Sequence, residues 1–274
     1  MKTAFLRGRD HQQVGRLELD GLGPAAVALS RGGASKTYSY TDPNEDCVAF
    51  AQGDGGTLLV AADGHHGELG SEAAVETILE QFAADWTAEF APAADETAWQ
   101  QQGLEALMVC NRSILEVAGR NQLPPAPTTF VAALVRPEED LLLTLSVGDS
   151  HILAVDPGYA TDLGGRDPEW KFTPFLGYEE ASPELLGQYS KVDVRGLSGL
   201  TALVLATDGL SEAGIGVADP AGAVHMMVQR TAVNAPVDRR AVDACRGVTE
   251  IAMQSHRSQK AGDNIGVSVV WLSN

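Results

Sequence analysis

The run Leu58-Leu59-Val60-Ala61-Ala62-Asp63-Gly64-His65-His66-Gly67 sets a carboxylate and two imidazoles directly behind a short apolar stretch. A stretch of that length and composition reads as a buried strand, so Asp63 stands at a strand end with the histidines on the loop beyond. A carboxylate beside imidazoles could serve a metal or acid–base site, yet Asp-Gly after a strand is equally an ordinary turn. Three more aspartates repeat the pattern: Asp46 opens the run Cys47 to Gln52, Asp208-Gly209 ends Thr201 to Thr207, and Asp263-Asn264 opens Ile265 to Leu272. Taken separately, each is a turn residue. Taken together, carboxylates at one edge of a sheet repel each other unless a cation lies among them. All-oxygen ligation selects Mg2+ or Mn2+ over zinc, and no His-x-x-x-His or Cys pair competes for a softer metal. Two such ions about 4 Å apart could share a water, lower its pKa towards neutrality and neutralise a phosphate oxygen. That chemistry suits phosphate ester hydrolysis. It needs a proton donor for the leaving alkoxide, and His65, with an ordinary pKa near 6.5, suits the role.

The elements that must position these residues can be read in outline. Strands are expected weakly around Arg16 to Leu19, then over Pro24 to Ser30, Cys47 to Gln52 and Thr57 to Ala62. The last two are joined by a Gly/Asp loop into a hairpin that brings Asp46 and Asp63 to one edge. A helix follows, with Ser71 as N-cap and an apolar stripe of Val75, Ile78, Leu79, Phe82 and Trp86. A second helix carries Leu104, Leu107, Met108, Ile114, Leu115 and Ala118 inward. Thr129 to Val135, Leu141 to Val147 and His151 to Val155 read as an antiparallel meander. Thr128-Thr129 reads as a pair of strand-entry residues. Residues 156 to 200 read as an irregular excursion, and loops of that length are usually functional or mobile. A buried strand over Thr201 to Thr207, a helix starting at Asp219-Pro220, a longer helix over Val237 to Arg257 and a closing strand complete the chain. His256 reads as a solvated helix-end residue. Groups of antiparallel strands between two pairs of helices imply an α+β fold, an α-β-β-α sandwich of two antiparallel sheets flanked by helix pairs.

The totals agree with one large domain over residues 1–274, 44% of it hydrophobic. A formal charge of −18 disfavours nucleic acid and anionic membranes as partners. Cys47, Cys110 and Cys245 share no short spacing, which excludes a disulfide framework and suits a reducing compartment. Neither a secretory signal nor a membrane span is read in the sequence, so a cytoplasmic protein is expected; its oligomeric state is left open, with a monomer favoured. Arg31-Gly32-Gly33-Ala34-Ser35-Lys36-Thr37 lacks the glycine before Lys-Thr that a phosphate-binding P-loop requires.

Ala62-Asp63-Gly64-His65-His66-Gly67, Val147-Gly148-Asp149-Ser150, Ala206-Thr207-Asp208-Gly209-Leu210 and Gly262-Asp263-Asn264-Ile265, preceded by Asn44-Glu45-Asp46, resemble a known ordered set. They are similar, in order and approximate spacing, to the motifs of the metal-dependent serine/threonine phosphatases, the PPM or protein phosphatase 2C family. The resemblance implies a bacterial-type, stand-alone catalytic domain that hydrolyses phosphoserine and phosphothreonine in a phosphoprotein substrate. It implies a binuclear Mg2+/Mn2+ centre in which Asp63 bridges both ions, the Gly64 carbonyl binds one, and Asp46, Asp208 and Asp263 complete the shells. Glu45 would hold a coordinated water and His65 would be the general acid. Asp149 matches the residue that, with Asp208, holds a third, weaker ion in several bacterial members. A flap would cover about 156 to 190, and the threonine pair would stand near the cleft.

Three departures from the family pattern stand out. The arginine expected four residues before Glu45 is Thr41, and Arg31 or Lys36 is a nearby substitute. His66 stands where many members have glycine and reads as an exposed loop residue. His151 replaces an arginine after Gly-Asp-Ser. Two further readings follow: a metal-binding regulatory module or pseudophosphatase with little turnover, and a small-molecule phosphoesterase.

Overall fold

The apolar runs that end in aspartates are strands. The computed structural model describes residues 1–36, 43–124, 126–164, 173–178 and 182–272. Its first sheet is built from β1 (Lys2–Arg7), β4 (Cys47–Gln52), β5 (Thr57–Ala62), β6 (Phe130–Arg136), β7 (Leu141–Val147) and β10 (Lys191–Arg195), paired in that order. The second runs β2 (Glu18–Leu22), β3 (Ala25–Ser30), β12 (Ile265–Trp271), β11 (Ala202–Ala206), β8 (His151–Val155) and β9 (Ala160–Asp162). Every pairing is antiparallel.

The central strands show no hydrophobic alternation because they are buried on both faces. Leu59 and Ala61 of β5 point into the layer between the sheets with Leu29, Phe50, Leu203 and Leu205. Leu58, Val60 and Ala62 point the other way, against α1 (Leu69–Gln81) and α3 (Glu96–Asn121). The outer face of the second sheet is covered by α5 (Pro220–Asn234) and α6 (Arg240–Gln259), through Val224, Val228, Cys245 and Val248. Two further α-helices among the described residues are short, α2 (Ala83–Trp86) and α4 (Pro183–Tyr189). The expected α-β-β-α sandwich is therefore the observed one. All three cysteines are buried free thiols. Among the described residues no helix is long and apolar enough to cross a membrane.

Several local expectations are corrected. Lys2–Arg7 is a strand, paired to β4 at the sheet edge. The three strands after Pro127 are no meander: β6 pairs with β7, but the chain crosses sheets at Gly148-Asp149-Ser150 and β8 pairs with β11. Gly148 makes that crossing at φ 105°, and a Cβ there would lie 2.7 Å from the Thr129 side chain. Ser71 is not the cap of α1, whose N-cap is Glu68. The Ser71 hydroxyl sits within the first turn and donates to the carbonyls of Glu68 and Glu45. Within the stretch expected to be irregular, residues 160–162, 183–189 and 191–195 form regular elements.

Candidate metal centre

Antiparallel pairing decides which strand ends meet. The β4–β5 register sets Cys47 opposite Ala62, so Asp46 and Asp63 emerge side by side from the first sheet. The β11–β12 register sets Ala206 opposite Val267, which brings Asp208 and Asp263 to the same pole of the second. Asp149 enters there from the sheet crossing. Glu45, Asp63, Gly64, His65, Asp149, Asp208 and Asp263, with Lys36 and Glu212, line one cleft of about 310 Å3. At ~30 Å3 per water molecule that is room for roughly ten waters. Asp46 is 1% exposed, beneath this floor.

Residues around the aspartates hold them in place. The Thr207 hydroxyl donates to Asp46 Oδ2 at 2.7 Å and accepts from the Gly266 N–H at 2.8 Å, tying the two sheets together at the site. Asn264 Oδ1 accepts from the Glu45 N–H at 3.0 Å, a second tie of the same kind. The Glu45 carboxylate accepts from the Gly67 N–H and lies 3.8 Å from Lys36 Nζ. Thr128-Thr129 does more than enter a strand. The Thr128 hydroxyl donates to the Asp63 carbonyl at 2.7 Å, and Thr129 Oγ1 accepts from the Asp63 N–H at 3.2 Å. Gly209 packs so tightly that a Cβ would lie 1.7 Å from the Asn264 carbonyl oxygen.

His256 also departs from expectation: it is fully buried rather than solvated. Its Nδ1 accepts from the Gly33 N–H at 3.2 Å and its Nε2 lies 2.7 Å from the Gly209 carbonyl, which assigns the proton to Nε2. His151 likewise bridges segments, with Nδ1 2.6 Å from Asp162 Oδ2 and Nε2 2.6 Å from Ser211 Oγ, one turn beyond Asp208.

Burial and mutual repulsion dominate the electrostatics of the cleft. Burial first, then repulsion from Asp263, pushes the Asp46 carboxyl up to about 7. Burial, and then the mutual repulsion of the cluster, holds Asp63 and Asp208 well above the usual carboxylate range. Asp46 Oδ1 is buried with no hydrogen-bond partner. An orphaned carboxylate oxygen beside mutually repelling aspartates fits a hard divalent ion. Among the described residues, no three or more His, Cys, Asp or Glu side chains stand together closely enough to hold a metal ion. The carboxylates wall an open cleft instead.

His65 is exposed at the mouth, its backbone N–H bonded to the Pro127 carbonyl at 2.7 Å. Its ring lies 4.7 Å from that of Phe175. Desolvation of the ring, then the neighbouring His66, lowers its pKa. His66 sits at φ 67°, the left-handed region that glycine occupies freely, which accounts for the glycine expected there. Thr173 and Phe175 line the wall where a flap was expected, and the Thr173 hydroxyl donates to Asp149 at 3.3 Å. Thr41, Thr37 and the flap positions 165–172 and 179–181 lie outside the described residues. Sequence reasoning missed Glu212, Thr173 and Phe175, which carry no motif. A second cleft, of about 380 Å3 at the opposite pole between Gly53 and Trp271, contains none of the motif residues.

Solved structures of similar fold cover nearly the whole chain. The serine/threonine phosphatase Stp1 of Staphylococcus aureus superposes with TM-score 0.65 at 18% identity, covering 94% of this chain and 98% of its own. Serine-threonine phosphatase 2C of Toxoplasma gondii gives 0.68 at 14%, covering 94% and 99%. The catalytic domain of the phosphatase PstP, solved with two manganese ions, gives 0.63 at 20%, covering 94% and 100%. No curated protein matches the sequence directly. The profile of the Protein phosphatase 2C family matches residues 33–244, from the Gly33 contact with His256 past the Asp208 turn and into α6. With about three quarters of its length matched, and Asp263 returned to the same cleft by β12, this chain belongs to the protein phosphatase 2C family.

Proposed function

We propose that the protein hydrolyses phosphoserine and phosphothreonine in protein substrates at a binuclear Mg2+ or Mn2+ centre, with residues 1–274 acting as one catalytic domain. The observation that carries this reading is the cleft itself. Three strand-end aspartates, Asp63, Asp208 and Asp263, line it, and a fourth, Asp46, lies buried beneath them with one carboxylate oxygen unpartnered. Asp63 and the Gly64 carbonyl would hold the ions, Asp46, Asp208 and Asp263 would complete the shells, partly through water, and Glu45 would hold a coordinated water. Asp149, beside Asp208, would hold a third, weaker ion. Bound ions would supply charge neutralisation for a phosphoryl oxygen and a water activated at neutral pH.

The chain's own residues supply the rest. Thr128 and Thr129 fix the Asp63 backbone on both its N–H and its carbonyl, directly before Gly64. Thr207 and Asn264 hold the two sheets at a fixed spacing, and hence the distance between aspartates of different sheets. His65, its ring beside Phe175 at the mouth, would give a proton to the leaving alkoxide. Its lowered pKa leaves it neutral at pH 7 in the free protein, and a phosphate dianion alongside would favour the protonated form.

Purified protein should hydrolyse a phosphothreonine peptide with Mn2+ and stop in EDTA, and Asp63→Asn and Asp208→Asn should abolish turnover. Wild-type rates in both variants would refute the assignment. Tight Mn2+ binding with no hydrolysis of any phosphopeptide would favour a regulatory module. Preference for phosphometabolites would favour a small-molecule phosphoesterase.

A further inference from the structure

The two poles of the sandwich are finished differently. At the metal pole, Thr207 and Asn264 tie the sheets together with buried hydrogen bonds. At the other pole the layer between the sheets is open. Leu197, Leu200 and Leu272 are half-buried, pack against the cluster that holds Leu29, Phe50 and Leu205, and line the cleft of about 380 Å3. Val135 and Val270, almost fully buried, line it with them. At ~30 Å3 per water this is room for roughly a dozen waters, the low end of the range in which proteins seat ligands.

Hydrogen bonds preform the walls. Asp140 Oδ1 accepts from the Leu197 N–H at 2.8 Å, and the Leu272 N–H donates to the Thr201 carbonyl at 2.9 Å. In the β4–β5 turn the Gly53 N–H donates to the Gly56 carbonyl at 3.0 Å, and the Gly55 N–H to that of Thr87 at 3.0 Å. The rim carries one sign of charge. Asp54, Glu138 and Asp140 are exposed around the apolar lining, and among the described residues no Lys, Arg or His lines the cleft. Neighbouring acids are neutralised, Glu139 by Arg136 and Asp193 by Arg195. Among the described residues, the Asp54 and Glu138 side chains enter no ion pair and no hydrogen bond. An apolar recess edged by unpaired carboxylates suits an apolar side chain flanked by cations, and repels nucleic acid and anionic lipid.

We propose that this cleft docks an extended segment of the phosphoprotein substrate, one carrying an apolar anchor between lysines or arginines and lying away from the phosphorylated residue. The assignment to a substrate rests on the phosphatase reading above. The metal cleft, of about 310 Å3, takes a phosphorylated side chain and little beyond it, so discrimination among phosphoproteins falls to other surfaces. Thr57 lies at one end of β5 and Asp63 just beyond the other, so the six-residue strand sets the clefts ~20 Å apart at ~3.3 Å per residue. A chain passing around the sandwich between them needs on the order of ten extended residues or more.

The test uses the whole protein, saturated with Mn2+, at about 0.15 M salt, where exposed charges are screened beyond ~8 Å. Calorimetry follows the unphosphorylated peptide Arg-Lys-Leu-Arg-Leu-Lys-Arg, the same peptide with serine for both leucines, and a variant carrying Asp54→Lys and Glu138→Lys. The leucine peptide should bind wild type, and the serine peptide or the double variant should each lose about tenfold or more in affinity. Joining the leucine peptide to a phosphothreonine peptide through about 15 Gly/Ser residues should lower KM about tenfold or more with kcat little changed. The double variant should lose that gain while hydrolysing the unlinked phosphothreonine peptide at the wild-type rate. No binding of the leucine peptide overturns the proposal. Equal binding of the serine peptide, or by the double variant, overturns it too, by reducing the contact to general charge attraction. Docking with no gain in KM for the linked peptide overturns the assignment to a substrate and makes the occupant a separate partner protein. Failure of wild type to hydrolyse the unlinked phosphothreonine peptide overturns the phosphatase reading and the substrate assignment with it, a result separable from docking itself, which calorimetry reads without turnover.

Discussion

Replacing Asp63 with Asn should stabilise the metal-free protein while removing its stabilisation by Mn2+. In the wild type, four aspartates share one pole, and burial together with mutual repulsion raises Asp46 to about 7 and Asp63 and Asp208 well above the usual range. For Asp46 alone, a rise of about three units from its ordinary value is about 4 kcal/mol of unfavourable ionisation above pH 7. The sign follows from linkage. A carboxyl whose folded pKa is raised binds its proton more tightly in the native state, so stability is lost as pH rises from about 4 through the folded value. The Asp63→Asn change removes one charge from this cluster, and each charge pair at an effective dielectric near 20 contributes on the order of 1–4 kcal/mol. After allowance for lost hydrogen bonds to the carboxylate, a net gain of about 2–4 kcal/mol is expected, or a melting temperature higher by ~4–12 °C. Saturating Mn2+ should stabilise wild type by about 3 kcal/mol per site at a hundredfold excess over Kd, and the variant by almost nothing. Thermal unfolding near pH 8, in EDTA and in MnCl2, reads both effects. Should Asp63→Asn melt below wild type in EDTA, repulsion does not govern the cluster. Should it keep the wild-type Mn2+ shift, Asp63 is no ligand.

Three further outcomes follow from groups that hold the aspartates in place. Thr207→Val removes the donor to Asp46 and the acceptor of the Gly266 N–H, both buried; denaturant unfolding should show a loss of about 2–4 kcal/mol, largely recovered in Thr207→Ser. His256→Leu leaves the Gly33 N–H and Gly209 carbonyl unpaired, for a loss of about 2–5 kcal/mol at pH 8. Burial lowers the His256 pKa, so the native state resists the proton that the unfolded chain accepts near 6.5; wild-type stability should therefore fall below pH 6.5 by up to about 1.4 kcal/mol per unit more than that of the variant. His151→Ala cuts the link from Asp162 to Ser211, and calorimetry should show Mn2+ binding weakened by roughly 10-fold or more through the loosened Asp208 turn.

What could be read from the chain alone divides along a physical line. Asp46, Asp63, Asp208 and Asp263 were legible because each stands where an apolar run meets Gly or Asn, a local pattern. The β4–β5 hairpin was legible because its loop is short, and its register then followed. Strand membership was not. Leu141–Val147 and His151–Val155 look alike as apolar runs, and nothing local says that the turn between them crosses from one sheet to the other. Lys2–Arg7 escaped notice because only Ala4 of the strand is buried, so no apolar period marks it. His256 was misread because its role is set by a partner 47 residues away, at Gly209, and the strand-entry reading of Thr128 left out its bond to Asp63, 65 residues away, for the same reason.

That division also explains why the site lies at the seam. Asp46 and Asp63 belong to one sheet and Asp208 and Asp263 to the other, so no hairpin fixes the distance between the pairs. It is fixed by how the sheets stack, and the interleaved Leu29, Phe50, Leu59, Leu203 and Leu205 are apolar and indifferent to small slides. Directional bonds remove that freedom. Thr207 to Asp46 and Asn264 to Glu45 pin the sheets at the cleft, and the Ser268 hydroxyl, donating to the Val60 carbonyl at 2.8 Å, pins them again deep in the sandwich. A polar group buried between two apolar sheets is justified only if its bond is made, so each of the three penalises a slipped register by leaving a buried group unpaired. Ser268→Ala tests the point furthest from the chemistry. Removing this tie should lower Mn2+ affinity measurably although the Ser268 hydroxyl bonds to backbone carbonyls of Ala49 and Val60 rather than to an aspartate, and an affinity equal to that of wild type would show that Thr207 and Asn264 alone set the spacing.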